Sequence, residues 1–497
     1  MDTKALRQKI LDLAIRGKLV PQDPSDEPAS VLLDRIRAEK QQMVKEGKLK
    51  AKDIKNDSVI FKGEDNLHYE KFADGTVECI EDEIPFDVPE NWAWCRMETI
   101  CPYGSCEKVD AKTIKNNEWI LELEDIEKDT GVILYFVSKS QRNSISVKHR
   151  FDKGQLLYSK LRPYLNKVVI APKPGYCTSE ILPLTFYGNI VPKYMQIFLM
   201  SETFLAYVNM ISYGVKMPRL GTDDGKRVLI SIPPITEQRR IFEKVDELLD
   251  KISIVNEEII ALNESVEIIK SKILDLAVCG KLVPQDPTDE PASVLLERIR
   301  AEKEELIKQG KIKRDKVESV IFKGEDNSYY EKIDDSIKCV NEELPYDIPE
   351  NWAYIRLKSV LEYEQPTPYI VDSTAYSNDY DTPVLTAGKS FIIGYTNEKY
   401  GIKDALPVII FDDFTTESKY VDFPFKVKSS AMKILTADER IISTIYAYYA
   451  MQKVNCDSEN HKRYWISEFS EKIIGLPPLE EQKRTISKIN EINALFE

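Results

Sequence analysis

The chain has 497 residues, 42% of them hydrophobic and 31% charged, which is enough for three or four units of ordinary domain size with substantial cores. The formal net charge of −14 argues against a simple basic nucleic-acid binder. Eight scattered cysteines without a Cys-x-x-Cys pair indicate neither a disulfide framework nor a zinc site, and with no signal peptide and no apolar run of membrane-spanning length a reducing cytoplasm is expected.

In chain order, an amphipathic helix opens the sequence and ends at Gly17, and the turn Pro21–Pro24 reverses the chain. A second helix is expected over Asp26–Lys45, with acids in its first turn, an early proline and a terminating Gly47. Val59–Asn66 reads as a small strand or hairpin. The segment from Trp92 to Ser231 then mixes expected strands (Gly131–Val137, Gln155–Tyr158, Lys167–Ile170, Ile181–Phe186) with an expected helix over Tyr194–Val208. From Ile241 to Leu276 apolar residues recur at spacings of four and three without a break: Ile241, Val245, Leu248, Ile252, Val255, Ile259, Leu262, Val266, Ile269, Ile273 and Leu276. A period of 3.5 predicts a long helix, roughly 60 Å at about 1.5 Å per residue, that supercoils on a partner. Trp352–Gly475 again mixes expected strands (Pro383–Thr386, Phe391–Tyr395, Pro407–Phe411, Ala431–Leu435) with an expected helix over Arg440–Val454.

The chain is internally duplicated. Ile10–Lys40 and Ile273–Lys303 agree at 27 of 31 positions. The likeness extends to Val59–Asn66 with Val320–Asn327, Phe86–Trp94 with Tyr346–Tyr354, and Ile232–Ile241 with Leu476–Thr485. Repeated blocks therefore flank two unlike variable blocks. The long helix is whole only in the middle; its first part recurs at the C-terminus and its last part at the N-terminus. The predicted fold class is α/β (α+β): two globular recognition domains separated by an antiparallel two-helix coiled coil, pseudo-two-fold, with a circular organisation in which the chain ends supply the second helix. The predicted boundaries are 1–91, 92–231, 232–351, 352–475 and 476–497.

Basic residues crowd Lys139–Gly175, interleaved with Tyr158, Ser159, Tyr164 and Asn166, a mixture suited to phosphates and base edges. Catalytic signatures are missing. Ala387–Ser390 imitates the end of a phosphate loop, but Pro383 stands where its first glycine belongs. Asp412-Asp413 with Glu417-Ser418-Lys419 only faintly resembles a metal-dependent nuclease triad, and His68, His149 and His461 are isolated and read as surface or packing residues. A recognition or assembly protein fits better than an enzyme.

The repeated LDLAIRGKLVPQDP, the Pro-Glu-Asn-Trp that opens each variable block and the IPP-x-x-EQ-R start of each long helix resemble the specificity subunit of a type I restriction-modification enzyme. The resemblance covers nearly the whole chain. It implies two target recognition domains, each reading half of a split, asymmetric site on double-stranded DNA, and a helical spacer that docks two methyltransferase subunits, which translocase-nuclease (restriction) subunits join. It further implies a chain that is not itself an enzyme and binds no cofactor, with S-adenosylmethionine, ATP and Mg2+ on its partners, and no membrane association. The alternative is a stand-alone DNA-binding or coiled-coil scaffold protein without enzyme partners. Tyr158–Lys167 and Lys216–Arg219 resemble parts of a first recognition domain, and Thr386–Thr396 and Val427–Leu435 parts of a second. The expected DNA contacts are Lys160, Arg162, Tyr164, Asn166, Lys167, Lys216 and Arg219 in the first, and Lys389, Lys428, Ser429, Lys433, Lys462 and Arg463 in the second.

Overall fold

The computed structural model describes residues 2–496 apart from 143–144, 215, 315–318, 389 and 457–462. The chain divides into two compact units, Met1–Ile259 and Ile260–Glu497. The heptad segment forms one 44-residue helix, Ile235–Val278, whose first part belongs to the first unit and whose last part to the second. We call it the central helix.

In the first unit, helix Thr3–Ile15 is capped by Asp2, whose carboxylate accepts from the Ala5 amide. It runs antiparallel to the start of the central helix. The Thr3 hydroxyl meets Asn256 Oδ1 at 3.4 Å, and at the other end Ser231 Oγ donates to the Ile15 carbonyl at 2.9 Å. Ile10, Leu11, Ala14 and Ile15 share a core with Ile241 and Val245, and Leu248 and Ile252 pack against it. The first part of the heptad seam is thus covered by the N-terminal helix. Helix Ala29–Lys45 follows, with Pro28 at its N-cap; the acids Asp26 and Glu27 precede the first turn instead of occupying it. The repeated VIFKGED is the first strand of a three-stranded antiparallel sheet (Ser58–Lys62, His68–Phe72, Val77–Cys79), more than a hairpin.

Strand Ala93–Arg96 pairs antiparallel with Leu229–Ile232, so the first variable block leaves and returns at one point beside the central helix. Inside it, one sheet runs in the order Lys108–Val109, Lys148–Phe151, Gly175–Thr178, Ile120–Leu121. A second places Leu156–Ser159 between Ile181–Leu184 and Val168–Ile170. The helix expected over Tyr194–Val208 is two, Pro192–Met200 and Glu202–Ile211. Ser201 turns extended between them, and its hydroxyl accepts from the Phe204 amide to start the second. Gly131–Val137 is not a regular strand. Its pairing among the described residues is a bridge between Ile133 and Ile126 and, at its end, a hydrogen bond from the Ile120 amide to the Val137 carbonyl at 3.0 Å, and Val132, Leu134, Tyr135 and Phe136 are exposed.

The second unit repeats this plan. Ile273 and Ala277 of the central helix bury against Ile489 of the C-terminal helix Leu479–Asn493, with Ile492 and Phe496 packed around them. Helix Ala292–Lys308 and a three-stranded sheet (Ser319–Lys323, Tyr329–Ile333, Ser336–Cys339) come next. Ala353–Arg356 pairs with Ile473–Leu476 and closes the second variable block. Within it a four-stranded sheet runs Leu361–Glu364, Met432–Ala437, Val408–Asp412, Ser418–Val421. A smaller one runs Ile392–Thr396, Thr382–Leu385, Lys426–Val427. The helix expected over Arg440–Val454 is shorter, Thr444–Met451, because residues 439–441 form a turn closed onto the Asp438 carbonyl and Ser443, the N-cap, is extended.

Three of the repeated motifs meet in one buried lock, built once in each unit. Glu237 is fully buried; it accepts from the Trp92 indole at 3.0 Å and from the Gln22 amide at 2.6 Å. Glu481 does the same with Trp352 at 3.0 Å and Gln285 at 2.6 Å. Beside each, an arginine pairs with the aspartate ahead of the second helix, Arg240 with Asp26 and Arg484 with Asp289, both at 2.6 Å. The adjacent glutamines, Gln238 and Gln482, accept from the backbone amides of Val191 and Ser443, tying each variable block to the helix that follows it. These are buried polar groups with partners, as the low dielectric of a core requires.

Candidate nucleic-acid interface

In the first variable block, strands Leu156–Ser159 and Val168–Ile170 form a hairpin whose tip is residues 160–167. A residue before proline is sterically steered to extended backbone. Arg162, which precedes Pro163, is instead left-handed, at φ +49°, and so is Asn166 at φ +49°. Such conformations cost about 1–3 kcal/mol each and persist only when their surroundings over-determine them. The surroundings here are specific. The Arg162 amide donates to the Pro218 carbonyl at 2.7 Å, and the Leu165 and Asn166 amides close the turn onto Arg162 and Pro163, both at 2.9 Å. Asn166 is buried, and its Nδ2 donates to the Met200 carbonyl at 3.1 Å.

Two further segments brace the tip. The Lys160 amide donates to the Glu180 carbonyl at 3.0 Å, and the Leu220 amide donates to the Lys160 carbonyl at 2.9 Å. Arg219 pairs through its backbone with Tyr213 and through its guanidinium with Glu180 at 3.1 Å. The fold thus brings residues 158–167, 178–181, 213–214 and 216–220 into one platform. On it Tyr164, Tyr213, Lys216 and Met217 are exposed, and Lys160 and Arg162 have no ion-pair partner among the described residues.

The second block builds the same platform on different residues. Its hairpin, Val408–Asp412 and Ser418–Val421, carries a tip of residues 413–417 and neighbours strand Met432–Ala437, matching the first hairpin's neighbour Ile181–Leu184. The Asp413 amide donates to the Ala431 carbonyl at 3.1 Å, as Lys160 does to Glu180, and the Asp413 carbonyl accepts from Tyr464 at 3.0 Å. This tip too holds a left-handed residue, Thr416 at φ +62°. Lys428 and Ser429, on the segment before Met432, and Arg463, beside Tyr464, are exposed on this platform. Lys389 and Lys462 lie outside the described residues, as does His461.

Several sequence-predicted residues hold these platforms together. Asn166 is buried, and Lys167 donates to the Leu123 carbonyl at 2.6 Å, with burial pushing its pKa down. Lys433 is buried between Asp413 at 3.3 Å and Gln365 at 3.2 Å. Much of the basic run in the first block is likewise spent inside it: Lys148 on Glu122 at 2.6 Å, Arg142 on Asp125, Lys139 on the Ala111 carbonyl, and Lys173 over the Trp119 and Phe136 rings. His149 is buried, its Nδ1 2.9 Å from the Ile181 carbonyl, and burial lowers its pKa. Asp412 and Asp413, the nuclease-like pair, are used structurally. Asp412 accepts from the Phe414 and Thr415 amides, and Asp413 accepts from the Trp465 amide at 3.0 Å. Among the described residues no group of three or more His, Cys, Asp or Glu side chains could hold a metal ion, and no helix is long and apolar enough to cross a membrane. Sequence reasoning missed the braces Glu180, Pro218, Met200 and Asp413. Their role is set by backbone carbonyls and long-range pairing, which leave no local signature.

Comparison with known proteins bears on these platforms directly. The model of the type I restriction modification DNA specificity domain matches residues 89–264 and 349–495, two spans that each contain one platform. The chain is 28% identical over 451 residues to the specificity subunit of the type I restriction enzyme EcoAI from Escherichia coli, covering 80% of this chain and 68% of that one. It is 44% identical over 170 residues to the EcoR124I/EcoR124II specificity subunit, also from Escherichia coli, covering 33% of this chain and 39% of the relative. Among solved structures, a chain from a study of complex assembly and conformational transition in the type I R-M system shares the fold. Its TM-score is 0.51 and its identity 16%, over 83% of this chain and 92% of that one.

Proposed function

This chain belongs to the type I restriction-modification DNA specificity family, whose specificity subunit selects sequence without catalysing a reaction, and from that premise we propose that its two platforms each read one half of a bipartite, asymmetric site on double-stranded DNA. The observation that carries the proposal is the same braced hairpin tip built twice with unlike residues. Equal scaffolds with different tips suit two readers that accept different half-sites.

In the first domain, Lys160, Arg162, Tyr164 and Lys216 face the DNA, while Asn166, Lys167 and Arg219 hold the surface that presents them. In the second, Lys428, Ser429 and Arg463 face it and Lys433 holds the tip from beneath; Lys389 and Lys462 complete the set by sequence. Lysines neutralise phosphates and contribute to all sequences alike, whereas tyrosine and arginine can also address base edges. The central helix sets the number of unread base pairs between the halves. The repeated helical regions dock two methyltransferase subunits, which the restriction subunits join. S-adenosylmethionine, ATP and Mg2+ belong to those partners, and the complex works in the cytoplasm.

Exchange of residues 92–231 for the corresponding domain of another family member tests this. Mapping of methylated sites should show one half-site replaced and the other, with the spacer, retained. Replacement of both halves, or of neither, would refute it. Co-purification of the full chain with a methyltransferase subunit tests the docking.

A further inference from the structure

We infer that Arg162 is a base-reading residue of the first domain, addressing a guanine end-on through its two terminal nitrogens, and that Asn166 is the positioning residue that fixes its direction. The inference deepens the proposed function and rests on the first platform being a half-site reader.

Three observations converge on Arg162. Its backbone is held left-handed ahead of a proline, where extended backbone is the relaxed state, by a hydrogen bond from its amide to the Pro218 carbonyl at 2.7 Å on one side and the buried Asn166 anchor on Met200 at 3.1 Å on the other. Strain of this kind, over-determined by its surroundings, points to function. Its Nε is buried and without a hydrogen-bond partner. That nitrogen is sealed from solvent, and the terminal pair Nη1 and Nη2 has no partner among the described residues, so the fork left to meet a ligand is the end-on one. Two parallel N–H donors at the end of a guanidinium match the O6 and N7 acceptors of guanine in the major groove, the commonest specific arginine contact to DNA. The other cations of the platform are placed differently. Lys216 is exposed on a flexible stem, and Arg219 is already paired with Glu180 at 3.1 Å. A phosphate would be served by either kind of side chain; a planar pair of parallel donors on a braced backbone also suits a base edge. In the second domain the left-handed residue of the tip is Thr416, two residues before the returning strand as Asn166 is in the first, and tip residues 413–417 include no arginine. The guanine contact is therefore assigned to the first half-site only.

The test uses the full chain in complex with the methyltransferase of its own system. Two variants are compared with the parent: Arg162→Gly, which relieves the left-handed strain while removing the fork, and Arg162→Lys, which keeps the charge. Modification rates are measured on duplexes carrying each single base-pair change in the first half-site, at two salt concentrations. The expected result is that both variants lose discrimination at one G·C pair, by about tenfold or more, with the remaining positions and the salt dependence nearly unchanged. Asn166→Gly, which tolerates the left-handed backbone but drops the Met200 bond, should blur the same pair and no other. Uniform weakening on every duplex with a shallower salt slope would make Arg162 a phosphate contact and overturn the inference, as would unchanged discrimination. If exchange of residues 92–231 moves no half-site, the underlying reading fails too, and that result is distinct from any outcome of the point variants.

Discussion

Single residues carry two kinds of burden in this protein. Glu237 and Glu481 are buried carboxylates, and desolvation raises their pKa against the lowering effect of hydrogen bonds from the tryptophan and glutamine beside each. A raised pKa means the folded chain holds the proton more tightly than the unfolded chain. The stabilisation is complete below the ordinary glutamate range and is lost as pH rises through the raised value. Glutamine at both positions keeps an acceptor for each indole and cannot ionise. The double variant Glu237→Gln, Glu481→Gln should therefore gain thermal stability over the parent at about pH 8 and lose that gain near about pH 4. Thermal melts at the two pH values decide it, and a gain independent of pH would refute the account. Gly17 carries the other burden. At φ +66° it would put a Cβ 2.5 Å from Pro89 Cγ, whereas Gly47, at φ +74°, has open space around it. Gly17→Ala should cost about 2–4 kcal/mol, left-handed strain plus overpacking, and Gly47→Ala only about 1–2 kcal/mol. Denaturant unfolding of the two variants measures the difference, and equal costs would show that the Pro89 contact is unimportant.

At the scale of elements, the seam of the central helix is best covered near its two ends. Ile241 and Val245 are buried in the first unit and Ile273 in the second, while Val255 and Ile259 in the first unit are only half-buried and Leu262 and Ile269 in the second are exposed. A strict heptad pattern is visible in sequence because it is a property of one strand. Which of its turns are covered depends on where the two terminal helices stop, at Thr3 and Asn493. If the helix sets the spacer, a seven-residue insertion near Asn263 preserves the heptad phase and lengthens it by about 10 Å. The mapped site should then gain about three unread base pairs with both halves unchanged. An altered half-site would refute the spacer role. The hairpin tips teach the opposite lesson. Three of their four strands were legible as strand-like runs and Ser418–Val421 was not, and the Arg162 backbone runs against its own local preference. A bond to Pro218, 56 positions away, decides it.

At the scale of the whole chain, duplication was the strongest signal and the structure gives it a physical meaning. Three of the repeated motifs are parts of the same lock, tryptophan, glutamate, glutamine and an arginine–aspartate pair, assembled from three places in the chain in each unit, and the fourth opens the three-stranded sheet. If the two locks are equivalent supports, Trp92→Phe and Trp352→Phe should each leave a buried carboxylate short of a donor and destabilise the protein by similar amounts, about 1–3 kcal/mol. A large inequality in chemical unfolding would show that they are not. The sequence by itself determined the two-fold repetition, the long heptad helix, the mixed α/β class and the family, because each depends on pattern and identity along the chain. Only the tertiary structure decided which cations face outward. Charge in a sequence carries no direction; Lys148, Arg142 and Lys433 find acids of their own block and Arg162 does not, and that sorting depends on partners far away in the chain.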